Sequence, residues 1–478
     1  MVVKDSDLVM TGIDVTWTNY PLDILAEFKV PGADDAIMYP KLWTTSIRTL
    51  SNCMRDCYED YLFYEQFQYA IDTRSSILFT YHISGDDRLT RQAIIQLHDS
   101  YNPGLALTAS RAPSHQPQII PHFSLFWICM IIDHFEYFNG VAFARQFLPE
   151  VDGVFEAFSR RIDPDIGLIR SLDSPSQWDF VDWTEQWKPM GIPPAAKCTG
   201  FSTYTNMLYA YVLKLSGKAL VGLKRPGLAD EYNSRAEAIV IAIRTYCFDG
   251  QFFTDGLAFT ADSGEDYSQH CQVWAILCGA ATTAIARDML NKCLSSPKSP
   301  PKSTTETVTQ EHPRFTPVST AVSFYTLRAL SLVGGTLYND HFHAFWEPGR
   351  HQISQNLTTW VEDSVSLRSD CHAWGCVPIN EFLKEVCGIK FETSRRDVLR
   401  FKPRIGLFLE LDAKVPFQGS ERLGVAHVVW KHEVAGVKLS IALKTVEENK
   451  TKISVLVVPS DGMCRLHSAQ TRLHFSSS

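Results

Sequence analysis

In the stretch from Tyr58 to Arg74, three of the four carboxylates stand at spacings that suggest a site. They are Asp60, Glu65 and Asp72, and aromatic side chains surround them at positions 61, 63, 64, 67 and 69. A stretch this aromatic is expected to bury much of its surface, so its acids are either satisfied core groups or the floor of a pocket. In a pocket, neighbouring carboxyl groups can act as general acid and general base when one is protonated and another is ionised.

The spacing of apolar residues in this stretch predicts a helix over residues 63–83. In such a helix Glu65, Tyr69 and Asp72 stand at positions i, i+4 and i+7 and share one face. That face would present two acids and an aromatic ring to polar surroundings.

Two further acids stand in aromatic surroundings elsewhere in the chain. Asp182 lies in the sequence WDFVDW at 178–183, and Glu362 lies in TTWVED at 358–363. Tryptophan combined with carboxylate is typical of carbohydrate sites, because the apolar faces of a sugar stack on aromatic rings while its hydroxyls need charged acceptors. Glycoside hydrolysis needs two carboxyl groups, one to protonate the leaving oxygen and one to activate water or attack directly.

Each of these residues also has a structural explanation. A glutamate on a helix more often faces solvent than a ligand. Asp179 and Asp182 could form turns in a proline-rich loop. His372 could be a core histidine or stand at a helix start, where Asp370 could be the N-cap. From the residues alone, these alternatives stay open.

Other kinds of site lack support in the sequence. No GxSxG, phosphate-binding loop or GxGxxG opens a helix in a supporting context. The 12 cysteines form no CxxC pair, and Cys53 and Cys57 lack a nearby set of further ligands. We therefore expect no metal site and no cofactor, and hydrolysis through carboxylates is the chemistry that the sequence favours.

Charge and hydropathy limit the partners. The 478 residues include 45 basic and 53 acidic side chains, with a formal net charge of -8 and no basic run, so neither nucleic acid nor an anionic membrane surface is an expected partner. The apolar run 123–132 is too short to span a membrane. The first ten residues lack the pattern of a secretory signal, which taken literally indicates a cytosolic protein. A small polar ligand fits this surface best.

A long helical body must position these residues. From Tyr39 onward helical periodicity continues for roughly 350 residues, with Gly, Pro, Asn and Asp turns between segments. Successive helical hairpins of this kind pack into a toroid or a solenoid. The predicted helices cover 40–60, 63–83, 86–100, 118–138, 139–160, 200–217, 228–246, 265–292, 316–334, 336–352 and 372–387.

Shorter β-type patterns flank the helical body, and two segments interrupt it. We assign 1–38 to the remnant of an N-terminal β-sandwich, 39–395 to the helical domain and 396–478 to a small C-terminal antiparallel β-sandwich. The interruption at 163–194 is rich in Pro, Trp and Asp, and exceeds an ordinary connector in length. The interruption at 295–317 is rich in Ser, Thr, Pro and Lys, and is predicted to be a disordered insertion without catalytic residues.

Four separate motifs in this order resemble a known family. They are DYLFYEQFQYAIDTR, WDFVDW, YSQHCQVWAIL and WVEDSVSLRSDCHAWG. Together they resemble the catalytic domain of the fungal-type α-L-rhamnosidases of glycoside hydrolase family 78, over the range from Leu42 to Gly388 and into the β-rich tail. The chain departs from the family at Tyr61 and Leu62, where relatives usually have Cys-Pro. It also has only about 40 residues before the helical body, where relatives carry several β-rich domains.

The resemblance implies a fold and a mechanism. The implied fold is mainly α, an (α/α)6 barrel of six helical hairpins with accessory β-sandwiches. The implied reaction inverts the anomeric carbon, with Glu65 as the general acid and Glu362 as the general base. The residues that would bind the sugar are Asp60, Tyr69, Asp72, Asp182, Trp183 and His372.

The implied substrate is a small glycoside or oligosaccharide with terminal rhamnose. Two alternatives remain at this point, namely a hydrolase of the same fold for another sugar and a non-catalytic sugar-binding paralogue. Because many fungal relatives are secreted, secretion is the expected location if the chain lacks part of its N-terminus.

Overall fold

Fifteen α-helices and seven strands can be assigned in the residues that the structure, a computed structural model, describes. These are residues 4, 9, 11–31, 37–172, 174, 176–258, 266–295, 313–363, 368–392, 395–418, 423–434, 436–445 and 454–457. In chain order the helices are α1 (Met38–Asn52), α2 (Ala70–Ile83), α3 (Arg88–Asp99), α4 (Phe123–Phe138), α5 (Val141–Arg145), α6 (Leu148–Ser159), α7 (Pro194–Thr199), α8 (Thr203–Gly222), α9 (Pro226–Tyr246), α10 (Gln269–Cys278), α11 (Thr283–Ser295), α12 (Ser323–Val333), α13 (Leu337–Phe345), α14 (Glu347–Ser354) and α15 (Val377–Asn380).

The helices form two concentric rings. The inner helices α2, α4, α8, α10, α12 and α15 bury most of their residues, whereas outer helices such as α3 bury a single apolar stripe. Around the inner ring α2 packs against α4, α4 against α8, α8 against α10, α10 against α12, and α15 returns to α2. This is the expected (α/α)6 barrel, so the fold class predicted from the sequence is confirmed.

Polar contacts also join the inner helices. Arg74 on α2 forms an ion pair with Asp133 on α4 (3.0 Å) and donates to the hydroxyl of Tyr325 on α12 (3.0 Å). Between α12 and the end of the barrel, Arg328 pairs with Glu381 and Glu385 in the π-helix Glu381–Val386 that follows α15. These buried ions connect the last hairpin to the rest of the ring.

The strands form two sheets behind the barrel. They are β1 (Glu27–Lys29), β2 (Ile389–Glu392), β3 (Arg395–Phe401), β4 (Glu410–Gln418), β5 (Leu423–Glu433), β6 (Gly436–Thr445) and β7 (Ser454–Val457). One sheet has the order β1-β4-β5-β6 and is antiparallel throughout. The other has the order β2-β3-β7, and its β3–β7 pair is parallel, which the antiparallel pattern predicted from the sequence did not include.

The N-terminal segment contributes little regular structure. Among its described residues, β1 is the single strand, and it pairs with β4 of the C-terminal sheet. Phe28 of β1 stacks on Phe382 at 4.5 Å between ring centroids. The first part of the chain is thus anchored to both the C-terminal sheet and the barrel.

Several helix boundaries differ from the predicted ones. The helix predicted over 63–83 begins only at Ala70, because Asp60 closes the preceding residues into a loop: its carboxylate accepts from the Phe67 N–H (2.8 Å), and its own N–H donates to the Phe67 carbonyl (2.9 Å). Gln66 has a φ of 57° in this loop, which is incompatible with a right-handed helix. The helix predicted over 265–292 is interrupted at Gly279, whose φ of 78° ends α10.

Most of the predicted insertion at 295–317 lies outside the described residues, which resume at 313. Within the described end of this segment, Thr316 forms a parallel β-bridge with Ser268. None of the described helices combines the length and apolar character that crossing a bilayer requires.

Candidate active site

The ends of the barrel sequence meet at one side of the ring. The indole Nε1 of Trp360 donates to Ser46 Oγ on α1 (2.9 Å), and the Trp360 N–H donates to Thr49 Oγ1 (3.0 Å). The backbone of Tyr61 pairs with that of His372 in an antiparallel bridge. These contacts hold the loop that contains Glu65 against the segment that contains Glu362, although the two acids are far apart in the sequence.

A single arginine connects the two acids. Arg368 Nη2 lies 2.6 Å from Glu65 Oε1 and 3.0 Å from Glu362 Oε1. Because both oxygens contact the same nitrogen at 2.6 and 3.0 Å, they are at most about 5.6 Å apart. The Arg368 side chain is 50% exposed, that of Glu65 22% and that of Glu362 3%, so the cluster opens to solvent on the Glu65 side.

Glu362 is held rigidly in the wall of this site. Its N–H donates to the Ser369 carbonyl (2.9 Å), and its own carbonyl accepts from the Trp374 indole (2.8 Å). Burial raises the pKa of the Glu362 carboxyl above its ordinary value, while His372 and Arg368 oppose that rise. The side chain is therefore a buried carboxylate that a nearby cation keeps available as a base.

Asp60 lies in the same acidic group. It is 3% exposed, and burial together with the nearby Asp72 and Glu65 carboxylates raises its pKa to about 9. Asp60 therefore carries its proton at neutral pH. A protonated carboxyl group here can donate a hydrogen bond to a neighbouring acid or to a sugar hydroxyl.

Asp72 and His372 form a second buried pair. His372 Nε2 lies 2.7 Å from Asp72 Oδ1, and Ser369 Oγ lies 3.3 Å from the other ring nitrogen. The histidine ring packs on Trp374 with 4.0 Å between centroids. Asp72 belongs to the first turn of α2, where a helix favours negative charge.

Tyr69 stands at the N-cap position of α2, directly after the loop that contains Glu65. Its hydroxyl accepts from Arg111 Nη1 at 2.5 Å. Burial, followed by the nearby Glu65 charge, raises the pKa of the Tyr69 phenol. The hydroxyl thus stays protonated and is oriented by Arg111 beside the acid cluster.

Asp182 forms its hydrogen bonds with other elements of the barrel. It is 2% exposed, and its carboxylate contacts His270 Nε2 (2.7 Å) and accepts from Ser319 N (2.9 Å) and Ser319 Oγ (2.5 Å). These bonds tie the tryptophan-rich loop to α10 and to the 3-10 helix before α12. In this arrangement the carboxylate positions structural elements and has no face toward solvent.

Trp183 lines a cavity of about 570 Å³. The cavity extends to Gln269, Trp346, Trp360 and Asp363, so it reaches the residue next to Glu362. Aromatic rings mixed with amide and carboxylate groups are the side chains that carbohydrate binding uses. The structure therefore brings Asp60, Glu65, Tyr69, Asp72, Glu362 and His372 into one neighbourhood. Trp183 lines a cavity that reaches Asp363 but that none of these six residues lines.

Two contributors to the site were not singled out from the sequence. Arg368 was visible as the single basic residue between Glu362 and His372, but its importance follows from the closure of the ring. Tyr61, at the departure from the family pattern, donates its hydroxyl to Asp370 Oδ1 (2.9 Å). This bond adds a further link between the two halves of the site.

One group of described residues could offer ligands to a metal ion. Asp56, Cys57 and Glu59 bring three candidate ligand atoms within 4.8 Å of one another. Glu59 is already paired with Arg55 at 2.6 Å. Cys53, which the sequence placed near this group, instead donates toward the Cys371 carbonyl (3.3 Å).

Sequence comparisons identify no relative. No protein-family model matches the chain, and no curated protein matches it.

The fold is similar to those of several solved structures. A rhamnosidase of glycoside hydrolase family 78 from Bacillus sp. GL1 is 22% identical with a TM-score of 0.75, and the match covers 93% of this chain and 44% of that one. An α-L-rhamnosidase from Aspergillus terreus is 11% identical with a TM-score of 0.67, over 91% and 48%. An α-L-rhamnosidase from Streptomyces avermitilis, complexed with L-rhamnose, is 13% identical with a TM-score of 0.66, over 88% and 38%.

The chain spans less than half the length of each of these three proteins. At such low sequence identity the likeness concerns the fold. The barrel and the sheets behind it thus have the fold of the α-L-rhamnosidases of glycoside hydrolase family 78.

Proposed function

We propose that this protein is an inverting glycoside hydrolase that releases terminal α-L-rhamnose from glycosides or polysaccharides. The observation that carries the proposal is the Glu65–Arg368–Glu362 cluster, in which two carboxyl groups from opposite ends of the barrel sequence face the same point. The shared fold of the rhamnosidases supports the substrate class.

The two acids have different roles. Glu65 is the more exposed acid and donates a proton to the leaving glycosidic oxygen as the bond to the anomeric carbon breaks. Glu362 is buried and accepts a proton from the water that attacks the opposite face of the sugar. The products are the sugar with inverted configuration and the free alcohol of the leaving group.

The surrounding residues hold the sugar and tune the acids. Asp60, protonated at neutral pH, can donate to Glu65 or to a hydroxyl of the sugar. The pair of Asp72 and His372 offers both acceptor and donor groups beside it. Trp183 provides an aromatic wall in the adjoining cavity.

Replacing either acid by its amide tests the proposal. Glu65→Gln and Glu362→Gln preserve shape but remove proton transfer, so turnover of an aryl α-L-rhamnoside should fall by about 10²–10⁴-fold. Glu156→Gln is the control, because Glu156 lies on the outer helix α6 and contacts the exposed Arg160. Near-normal turnover in either active-site variant would contradict the role given to that residue.

The stereochemical course tests the inverting assignment separately. An inverting pair stands roughly 6.5–9.5 Å apart, whereas a retaining pair stands about 5–5.5 Å apart. With Arg368 bridging them, the nearest oxygens of Glu65 and Glu362 are closer than the inverting range, so inversion requires the pair to separate when substrate binds. Proton NMR of the reaction should detect the β anomer of L-rhamnose first, and initial release of the α anomer would overturn inversion.

A panel of aryl glycosides distinguishes the two alternatives. A hydrolase for another sugar would cleave a different member of the panel. A non-catalytic sugar-binding protein would bind L-rhamnose in calorimetry and cleave none.

A further inference from the structure

Arg368 contacts the two acids unequally. Toward Glu362 its Nη2 lies 3.0 Å from one oxygen and 3.4 Å from the other, and its Nε lies 3.4 Å from the second oxygen. Toward Glu65 its Nη2 lies 2.6 Å from Oε1. Arg368 and Glu362 also lie close together in the sequence, and the Glu362 N–H donates to the carbonyl of Ser369, the residue after Arg368.

The contact with Glu65 competes with the proposed reaction. With Arg368 Nη2 2.6 Å from Glu65 Oε1, a leaving oxygen cannot approach Oε1, and the bridge holds the two acids closer than an inverting pair stands. The contact with Glu362 has the opposite effect, because a nearby positive charge favours the ionised form that a base requires. One contact must therefore break during the reaction, while the other can persist.

The energies of the two contacts indicate which one breaks. Glu65 is partly exposed and lies in a loop, and an ion pair that solvent reaches contributes little to stability. Glu362 is almost fully buried, so losing its cation would leave a charge without compensation in the protein interior. A sugar entering between the acids would therefore displace Arg368 from Glu65 more easily than from Glu362.

We propose that Arg368 is a positioning residue that joins Glu65 to Glu362 in the empty site, and that substrate releases it from Glu65 while it stays paired with Glu362. This inference rests on the proposed function and specifies how the same site changes between its empty and occupied states. Arg368 then serves the base, whereas the glycosidic oxygen takes its place at the acid.

The charged groups around Glu362 are few among the described residues. Arg368 and His372 favour its ionised form, and Asp363 on the adjacent position opposes it. Glu65 faces it across the Arg368 side chain. Removing the positive charge of Arg368 should therefore raise the pKa of Glu362, since the opposing effects of burial and Asp363 remain.

The test uses Arg368→Gln and Arg368→Lys in the full chain. The acid limb of the pH profile of kcat/KM reports the base that must be ionised, so it should move upward by about one pH unit in Arg368→Gln. In Arg368→Lys the limb should stay near its wild-type position because the charge is kept, while kcat falls because lysine lacks the fork geometry. Arg160→Gln, an exposed arginine on the outside of the barrel, should leave the profile unchanged.

Two results would overturn the role of Arg368. One is a uniform loss of activity in Arg368→Gln with the acid limb unmoved, which would indicate a structural role only. The other is faster turnover at every pH, which would mean that Arg368 obstructs the site.

A second measurement does not depend on activity. Carboxyl ¹³C NMR of protein labelled at glutamate follows the Glu362 titration, and Glu362→Gln identifies its signal. Suppose the Glu362 pKa rises in Arg368→Gln but the wild type hydrolyses no rhamnoside. That result would contradict the proposed function but keep the pairing of Arg368 with Glu362. Hydrolysis by the wild type, with an unchanged Glu362 titration in Arg368→Gln, would keep the proposed function but contradict the pairing of Arg368 with Glu362.

Discussion

At the scale of single residues, Asp60 connects the chemistry of the site to the stability of the fold. Its pKa is 3.8 in an ordinary environment and about 9 in the folded protein. Between these values the folded protein binds one more proton than the unfolded chain, so this group lowers the free energy of unfolding as the pH rises through the window. The slope for one proton is at most about 1.4 kcal/mol per pH unit.

We therefore predict that Asp60→Asn is less sensitive to alkaline pH than the wild type. The amide oxygen can still accept from the Phe67 N–H, but it has no charge to desolvate. Urea unfolding at pH 5 and pH 8 should give a smaller loss of stability for the variant over that interval. Parallel losses in both proteins would mean that Asp60 is ionised in the folded state.

The same residue also explains where prediction from the sequence succeeded and failed. The acids at 60, 65 and 72 could be recognised because aromatic neighbours and spacing mark them. The predicted helix start at residue 63 was wrong, since α2 begins at Ala70. The Asp60 carboxylate accepts a hydrogen bond from the Phe67 N–H, and the spacing of apolar residues does not indicate such a bond. Arg368 was overlooked for a related reason, since its two partners come together only in the folded ring.

At the scale of elements, buried ion pairs join α12 to the last hairpin. Arg328 lies between Glu381 and Glu385, whose side chains are almost entirely buried. Glu385 also receives Arg404 at 3.0 Å and Lys390 at 2.6 Å, so this cluster connects the barrel to the residues that lead into the sheets.

Removing the central cation should destabilise the protein strongly. In Arg328→Met the two glutamates lose a buried partner, and we predict a loss of about 3–5 kcal/mol in the free energy of unfolding. Chemical denaturation measures it, with Arg160→Met as the exposed control. A loss no larger than that of the control would indicate that Arg404 and Lys390 suffice to compensate the cluster without Arg328.

The hairpins themselves were predictable because each helix keeps an apolar face at regular spacing. The breaks between helices were harder to predict. Gly279 ends α10 with a left-handed φ, but glycine adopts positive and negative φ values about equally readily, so the residue alone does not mark a helix end. The ion pair between Arg328 and Glu385 could not be predicted, since charged residues in a single sequence are equally compatible with an exposed surface position.

At the scale of the whole molecule, β1 attaches the start of the chain to its end. Phe28 is 3% exposed and packs against Phe382 of the barrel and Phe408 before β4. The barrel and the four-stranded sheet therefore share part of one hydrophobic core.

A single substitution at this junction should affect both parts together. Phe28→Ala removes a buried ring, and we predict a loss of about 3–5 kcal/mol with unfolding still in one transition. Circular dichroism in the far ultraviolet and tryptophan fluorescence should report the same midpoint. Separate midpoints, with only one of them lowered, would mean that the sheet and the barrel unfold independently.

The distance between the two acids in the sequence also has a consequence for protein synthesis. A ribosome completes the segment with Glu65 early and the segment with Glu362 only after helices α1 to α14 have been made. If Glu65 and Glu362 act as proposed, the nascent chain until then holds the acid without the base, and long-range closures of this kind are slow compared with helix formation. The proposed activity would then arise in one late step of folding, and a chain stopped before the last hairpin would lack it.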